Sequence, residues 1–196
     1  MAGELERLAE QIRGCRKCPL WKSRRNAVPG EGAESASCMF IGESPGEEED
    51  RTGRPFVGRS GKFLDQALED AGLNRGDFFI TGSVKCHPPD NRDPRKSELD
   101  ACRPYLERQI EVIQPKVILL LGRVAVNGFL GNSRLSDIRG RAIDRDGLLM
   151  LPTYHPAAAM RFPSRRAPFL EDMETLSSLL SEINGSWEES KRRTDP

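Results

Sequence analysis

The chain has 196 residues, enough for one domain with a substantial hydrophobic core. Its 30 lysines and arginines balance its 30 aspartates and glutamates, so the net charge does not point to a nucleic-acid partner. No apolar run approaches the length of a membrane span, and the N-terminus lacks the apolar segment of a secretion signal. We therefore expect one domain over residues 1–184, in the cytoplasm and away from the membrane, followed by a polar, disordered tail over residues 185–196.

The first half of the chain predicts an amphipathic helix followed by two strands with a helix between them. Leu5, Leu8 and Ile12 recur at helical spacing, and residues 37–41 form an apolar run typical of a buried strand. In order, we predict a helix that ends near Gly14, a polar surface loop over 22–36, a strand over 37–41, a helix over 60–72 and a strand over 78–85.

The second half alternates strands and helices in the same way. Residues 117–121 are apolar throughout, as a strand buried on both faces of a parallel sheet requires. Ser97 has the character of an N-cap for the helix that precedes this strand. The other predicted elements are a proline-rich loop over 86–94, a helix from 97 to about 113, a short helix after Gly122, a small hairpin within 134–147, a strand over 148–151, a basic loop up to Pro168 and a helix over 169–183.

This alternation predicts an α/β fold with a mainly parallel, four-stranded sheet. The stretch Gly42–Asp50 directly follows the first strand and combines a turn containing glycine and proline with several carboxylates. An aromatic residue, Phe56, comes a few residues later. Open α/β sheets bind their ligands at the carboxyl ends of the strands, so we expect a functional site at this edge.

Five cysteines are an odd number, which argues against a pure disulfide framework and favours metal binding. Cys15 and Cys18 form a close pair, while Cys86 and Cys102 are two single residues much later in the chain. This spacing leaves both a 4Fe-4S cluster and a structural zinc open, with the cluster favoured because zinc sites more often consist of two close pairs. Cys38 lies inside the first predicted strand and is interpreted as a small buried apolar residue.

Three stretches together resemble the family 4 uracil-DNA glycosylases, the iron–sulfur branch of that superfamily. Each of these motifs is weak alone, but the combination with the four cysteines is specific, and the matching order runs from Cys15 to about Ala158. The three stretches are Gly42–Glu47 with Pro55–Gly58, then Val84–Arg92, then Tyr154–Ala157. The resemblance implies a three-layer α/β/α sandwich with four parallel strands between helices.

The resemblance also implies a reaction, a cofactor and a partner. The reaction is excision of uracil from DNA in base-excision repair, by a protein that we expect to be a monomer associated with the nucleoid. The cofactor is a structural 4Fe-4S cluster whose ligands would be Cys15, Cys18, Cys86 and Cys102. An enzyme that acts on a base inside a duplex must flip that base into a pocket, which defines the side chains needed.

Phe56 would stack on the flipped pyrimidine, and backbone amides beside Gly42 would approach it closely. His155 would donate a hydrogen bond to the base oxygen on which negative charge develops, and Glu43 would orient the attacking water or contact the base. Ser44 occupies the position at which some relatives carry a water-activating aspartate, so we expect stabilisation of the leaving group to dominate. The alternative for Phe56 is a core residue under the loop, which its glycine neighbours disfavour. Without the resemblance, a turn residue would be the favoured interpretation of His155.

Base recognition departs from the family pattern at the second strand. Family members usually carry an asparagine there that reads the uracil edge, and this chain has Gly82. Ser83 could replace that amide only if a bulge re-aims its side chain. We therefore predict altered selectivity, with uracil joined by hypoxanthine, xanthine or another deaminated base, and greater uracil discrimination in Gly82→Asn. In the acidic run 47–50, Glu49 or Asp50 is expected to turn inward and position water.

DNA contact is expected from the basic loop after His155. Met160 would fill the gap left by the flipped base, while Arg161, Arg165 and Arg166 would meet phosphates. Lys85 and Arg92 would add a second phosphate contact. The alternative function is a non-catalytic DNA-binding module of the same fold that has lost base recognition at Gly82. A ferredoxin-like redox carrier is disfavoured because the compact multi-cysteine run of such carriers is missing from the sequence.

Overall fold

The computed structural model describes the backbone of residues 3–194 and the side chains of residues 3–183. Its centre is a five-stranded sheet in the order β2-β1-β3-β5-β4. Strands β1, β2, β3 and β5 run parallel, and β4 pairs with β5 in the antiparallel direction. The strands are β1 (Cys38–Gly42), β2 (Phe79–Gly82), β3 (Val117–Leu121), β4 (Ile143–Arg145) and β5 (Leu148–Thr153).

Helices cover both faces of the sheet and confirm the three-layer α/β/α architecture. Helices α3, α7 and α8 pack on one face through residues such as Leu64, Ala159 and Phe169. Helices α4 and α5 pack on the other face, where Leu106 and Val126 meet the sheet. In chain order the helices are α1 (Glu4–Arg13), α2 (Glu47–Thr52), α3 (Arg59–Asp70), α4 (Lys96–Ile113), α5 (Arg123–Leu130), α6 (Leu135–Ile138), α7 (Pro156–Arg161) and α8 (Pro163–Thr194).

The predicted count of four strands was one too low. The extra strand, β4, has three residues and only one apolar side chain, so it lacks the hydrophobic pattern that marks a strand. Asp146 and Gly147 join it to β5 with positive φ angles of 55° and 85°. An Asp-Gly pair in this conformation is the preferred two-residue turn of a β-hairpin. The hairpin is present, but only β4 and the turn lie within the predicted range 134–147, because its second strand is β5.

The segment over 22–36 was predicted to be a surface loop, but part of it is buried against the sheet. Val28 is 3% exposed, and its N–H donates to the carbonyl of Lys85 at 2.8 Å. Glu31 forms an isolated bridge with Ile80 of β2. The segment therefore lies along the edge strand of the sheet and covers its otherwise unpaired backbone.

Two predicted boundaries near helix starts were also wrong. The N-cap of α4 is Arg95 rather than Ser97, because the Glu98 carboxylate accepts from the Arg95 N–H at 2.8 Å and starts the helix earlier. The basic loop after His155 is mostly helical, since Pro156 and Pro163 occupy the starts of α7 and α8, where proline is tolerated. Side chains from residue 184 onward lie outside the described part, so the domain division at 184 and the disordered tail remain predictions.

No helix in the described part of the chain combines the length and the apolar composition that crossing a membrane would require.

The acidic run after β1 is a short helix that fixes the loop behind it. Glu49 of α2 is 8% exposed, and its carboxylate accepts from the N–H groups of Val57 and Gly58 at 2.8 Å and of Gly46 at 3.1 Å. Asp50 is 5% exposed and accepts from the Arg25 N–H at 3.0 Å. Both carboxylates turn inward, although the sequence predicts this for only one of them. Their oxygens accept hydrogen bonds from backbone N–H groups, whereas the sequence-based expectation was that they position water.

Replacing Glu49 by Gln should loosen the loop around Phe56. The amide cannot accept all three N–H bonds, and the loss of charge-assisted hydrogen bonds at a buried position costs about 1–3 kcal/mol. Urea denaturation should show this loss, and amide hydrogen exchange should accelerate at Val57 and Gly58. The matched control is Glu48→Gln, whose exposed side chain pairs only with Arg51 and should leave both measurements near wild type. Equal behaviour of the two variants would contradict the bracing role of Glu49.

Candidate functional site at the carboxyl edge of the sheet

The carboxyl ends of the parallel strands gather most of the predicted site residues. Gly42 and Gly82 are paired at the ends of β1 and β2, and His155 follows the end of β5. The Phe56 and His155 rings share this edge, with centroids 5.7 Å apart and planes inclined by 31°. The structure therefore brings together the aromatic and the imidazole that the sequence singled out.

Phe56 is held in a conformation that few side-chain-bearing residues adopt. Its φ angle is 49°, in the left-handed region. A Cβ atom at Gly42 would lie 2.6 Å from Cζ of the Phe56 ring, so only glycine at that position leaves room for the ring. Arg75 donates to the Phe56 carbonyl at 3.2 Å and fixes the loop from the other side. The Phe56 ring is half-buried. Its position is fixed by these backbone constraints as well as by packing against the core.

His155 is the N-cap of α7, and its ring tautomer follows from that role. The Nδ1 atom accepts from the Ala157 N–H at 3.2 Å, which places the proton of the neutral ring on Nε2. Burial lowers the pKa of His155 to about 4, against the opposing influence of the nearby Glu49 carboxylate. At neutral pH this side chain is an uncharged imidazole with Nε2–H available as a donor.

Gly122 provides the space for that imidazole. A Cβ atom at Gly122 would lie 2.9 Å from the His155 Cβ. The Gly122 N–H donates to the Thr153 carbonyl at 2.9 Å. Gly122 follows β3, and it has a φ angle of 90°. The sequence marked this glycine only as the end of a strand.

Glu43 is a half-buried carboxyl group whose charge is disfavoured. Burial, and after it the proximity of Asp93, raise the pKa of Glu43 to about 7, while Arg123 acts in the opposite direction. Arg123 also forms an ion pair with Asp93 across the mouth of the site. Ser44 lies half-buried in the same turn. A carboxyl that titrates near neutral pH is suited to exchanging a proton or orienting water.

Ser83 does not replace the missing asparagine. Its side chain is 8% exposed, and its hydroxyl donates to the Gly42 carbonyl at 2.8 Å, which ties β2 to β1. At Gly82 a Cβ atom would lie 2.8 Å from the Val84 carbonyl oxygen, so the chain has no room for a side chain without a backbone shift. At this position the edge of the sheet therefore presents backbone only.

Two of the residues expected to contact DNA are engaged inside the protein. Lys85 is 1% exposed, its ammonium group donates to neighbouring oxygen atoms, and burial lowers its pKa to about 8. A phosphate contact by Lys85 was a wrong prediction, because a basic residue after a strand was assumed to face solvent. Arg92 is partly exposed and donates twice to the buried Glu98 carboxylate, at 2.7 and 2.8 Å, so its main contact is structural.

The other expected DNA contacts lie together on the surface beside His155. Met160 is 42% exposed, and so is its neighbour Phe162. Arg165 lies over the rings of Phe162 and Tyr154, at 4.6 and 5.6 Å, and Arg166 lies over Phe63 at 5.3 Å. Arg161 is exposed at the end of α7. This surface combines apolar side chains with cations, as the sequence predicts.

The four cysteines outside the sheet line one cavity. Cys86 and Cys102 are buried, Cys15 and Cys18 are partly buried, and the surrounding walls include Ile12, Trp21 and Tyr105. Arg24 donates to the Cys86 sulfur at 3.0 Å. Among the described residues no three His, Cys, Asp or Glu side chains converge on a point that would suit a single ion. The structure therefore brings together, around one cavity, the four cysteines that the sequence singled out as candidate metal ligands.

Arg24, Asp93 and Arg123 belong to the site but were not found from the sequence. Each is a charged residue in a polar segment, where charge alone does not distinguish a ligand from a solvated side chain. The position of Arg123, directly after a strand and a glycine at the carboxyl edge, was the one available signal.

Comparison with known proteins agrees with this geometry. A family model described as "Uracil DNA glycosylase superfamily" matches residues 29–177. A type-4 uracil-DNA glycosylase from Sulfurisphaera tokodaii is 45% identical over 89% of this chain and 84% of the relative. Another from Saccharolobus solfataricus is 46% identical over 90% and 87%, and one from Thermotoga maritima is 42% identical over 90% and 94%. The chain therefore belongs to the uracil-DNA glycosylase superfamily and, within it, to the type-4 family that its motifs resemble.

Proposed function

We propose that this protein is a monofunctional DNA glycosylase that hydrolyses the N-glycosidic bond of uracil in DNA as the first step of base-excision repair. The observation that carries the proposal is the pairing of Phe56 with a neutral His155 at one sheet edge, with ring centroids 5.7 Å apart. Five relatives that are 40–46% identical to this chain are named type-4 uracil-DNA glycosylases, and these names support the same reaction.

The reaction follows from what each side chain offers a flipped base. Phe56 provides an aromatic face on which a pyrimidine stacks. As the bond between the sugar C1′ and the base nitrogen breaks, its electron pair goes to the base, and the Nε2–H of His155 stabilises the negative charge on the base oxygen. Water then adds to C1′ of the cationic sugar and loses its proton to the Glu43 carboxylate. The Glu49 carboxylate, occupied by three backbone amides, keeps Phe56 in place.

The residues present also fit a 4Fe-4S cluster held by Cys15, Cys18, Cys86 and Cys102, since all four line the same cavity. Such a cluster would join the N-terminal segment to the loop after β2 and to α4, and so brace the frame around the site. This is a structural use, because none of the base-binding side chains lies in that cavity.

Double-stranded or single-stranded DNA would bind along the surface of Met160, Arg161, Arg165 and Arg166 next to His155. The exposed apolar groups suit the gap that a flipped base leaves, and the arginines suit phosphates. We place the protein as a monomer on the DNA of the nucleoid, with no role at a membrane. The non-catalytic DNA-binding module remains the alternative, since Gly82 lacks the amide that usually reads the base.

His155→Ala tests the catalytic assignment. Loss of one donor to the developing charge should lower the single-turnover rate of uracil excision by about 10²–10³-fold. The measurement is alkali cleavage of a uracil-containing oligonucleotide after incubation with the protein. The matched control is His87→Ala, which removes the other histidine, bonded to Asn91 at 3.0 Å, and should keep the wild-type rate. Tight DNA binding by a wild-type protein that leaves the oligonucleotide intact would support the non-catalytic module instead.

The pH dependence of excision should report Glu43. Its carboxyl is protonated below a pKa of about 7, and only the ionised form can accept a proton from water, so the single-turnover rate should rise through pH 7 and level off above it. His155, with a pKa of about 4, stays neutral over the same range and adds no second step. In Glu43→Gln the rise should disappear. A rise that persists in this variant would assign it to another group.

The base range should be wider than uracil alone. Gly82 presents no amide to distinguish pyrimidine edges, so we expect excision of hypoxanthine or xanthine beside uracil in an alkali-cleavage panel of deaminated bases. Gly82→Asn should sharpen the preference for uracil. The control is Gly82→Ala, which introduces the same clash with the Val84 carbonyl without an amide, and thus separates strain from recognition. Excision of uracil and no other base by the wild-type protein would refute this prediction.

A further inference from the structure

Lys85 is a buried cation that the proposed reaction does not use directly. Its ammonium group donates to the Thr81 hydroxyl at 2.6 Å, the Gln109 side-chain oxygen at 2.7 Å and the Gly82 carbonyl at 2.8 Å. These three bonds employ all three of its N–H groups. The acceptors are a hydroxyl, an amide and a backbone carbonyl, none of which carries a charge.

The acceptors are themselves fixed by a neighbouring carbonyl. The Thr81 hydroxyl donates to the Pro29 carbonyl at 2.9 Å, and the Gln109 side-chain nitrogen donates to the same oxygen at 2.7 Å. Thr81, Lys85 and Gln109 are all 2% exposed or less. A buried network in which each member has its partners has one arrangement, so it holds the end of β2 rigidly.

The other side of Lys85 faces the cysteines. Lys85 lines the cavity that holds Cys15, Cys18, Cys86 and Cys102. It directly precedes Cys86 in the chain, and Cys86 and Cys102 line the same cavity. An isolated buried cation is costly unless an anion compensates it, and deprotonated cysteines that ligate metal are the anions this cavity can supply.

We propose that Lys85 is a positioning residue that connects the cysteine cavity to the base pocket. Toward the cysteine cavity, Lys85 would act electrostatically, because its ammonium charge offsets the negative charge of the metal-bound thiolates. Toward the base, it would act through a hydrogen bond, because the same ammonium holds the Gly82 carbonyl at the strand end where the base edge is expected. The inference rests on the proposed glycosylase function and on the cluster, and it assigns to Lys85 a task that differs from contact with DNA.

The test compares three variants of the full-length protein with its cluster in place. Lys85→Met removes both the charge and the donor, and Lys85→Gln removes the charge but keeps a shorter donor. Thr81→Val perturbs the same network while leaving the charge and the bond to Gly82 intact. The measurements are the reduction midpoint potential of the cluster, the single-turnover rate of uracil excision and the affinity for an uncleavable DNA analogue.

Both Lys85 variants should shift the midpoint potential to more negative values, because reduction adds negative charge that the lysine no longer offsets. Lys85→Met should lower the excision rate about tenfold or more, because the Gly82 carbonyl is no longer held in place. Lys85→Gln should lower the excision rate by less than Lys85→Met does. Thr81→Val should retain the wild-type potential. DNA affinity should stay unchanged throughout, since Lys85 is buried.

An unshifted potential in the Lys85 variants, or the same shift in Thr81→Val, would overturn the electrostatic part of the proposal. A wild-type excision rate in Lys85→Met would overturn the positioning part. If Lys85→Met fails to fold, Lys85→Gln decides both parts, because its shorter side chain should still lower the excision rate measurably and an unchanged rate would overturn the positioning part. A wild-type protein that excises no uracil would refute the proposed function, whereas the potential would still decide whether Lys85 offsets the charge of the cluster.

Discussion

The site depends on the absence of side chains at the ends of two parallel strands. Gly42 is the last residue of β1 and Gly122 directly follows β3. A Cβ atom on Gly42 would collide with Phe56, and one on Gly122 would collide with His155. The two rings can approach each other only because these strand ends carry no side chains. The parallel arrangement then matters because it puts every such end at one edge, so that residues far apart in the chain, such as Phe56 and His155, come into contact.

Burial at this edge also shifts the pKa values of Glu43 and His155 in opposite directions. The same loss of water raises the pKa of the Glu43 carboxyl to about 7 and lowers the pKa of the His155 imidazole to about 4. Both groups are therefore pushed toward their neutral forms. A neutral imidazole donor is suited to a base that becomes anionic as it leaves, because it stabilises the charge without first transferring a proton.

The sequence was sufficient for the frame and for the two rings, but not for the roles of charged residues. Apolar runs and glycines predict β1, β3 and β5 because they report burial directly, whereas β4, with one apolar residue, could be inferred only from its Asp-Gly turn. Glu49 was expected to position water, and Lys85 and Arg92 were expected to contact DNA. Their actual partners are three backbone amides, three neutral oxygens and Glu98, and such partners depend on tertiary contacts that spacing in the chain does not reveal.

Gly82 shows how backbone geometry changes the meaning of a substitution. The sequence suggests that a recognition side chain has simply been lost, yet a Cβ atom there would lie 2.8 Å from the Val84 carbonyl oxygen. The glycine is thus required by the path of the chain, which turns back as the Val84 N–H donates to the Glu43 carbonyl at 3.1 Å. The surface that faces a base at this point is backbone, and its carbonyl is held by Lys85 at 2.8 Å. Under the role that we propose for Lys85, selectivity would depend on how firmly that carbonyl is held. Part of base recognition would then lie in a buried lysine beside the cysteine cavity and not in a side chain that touches the base.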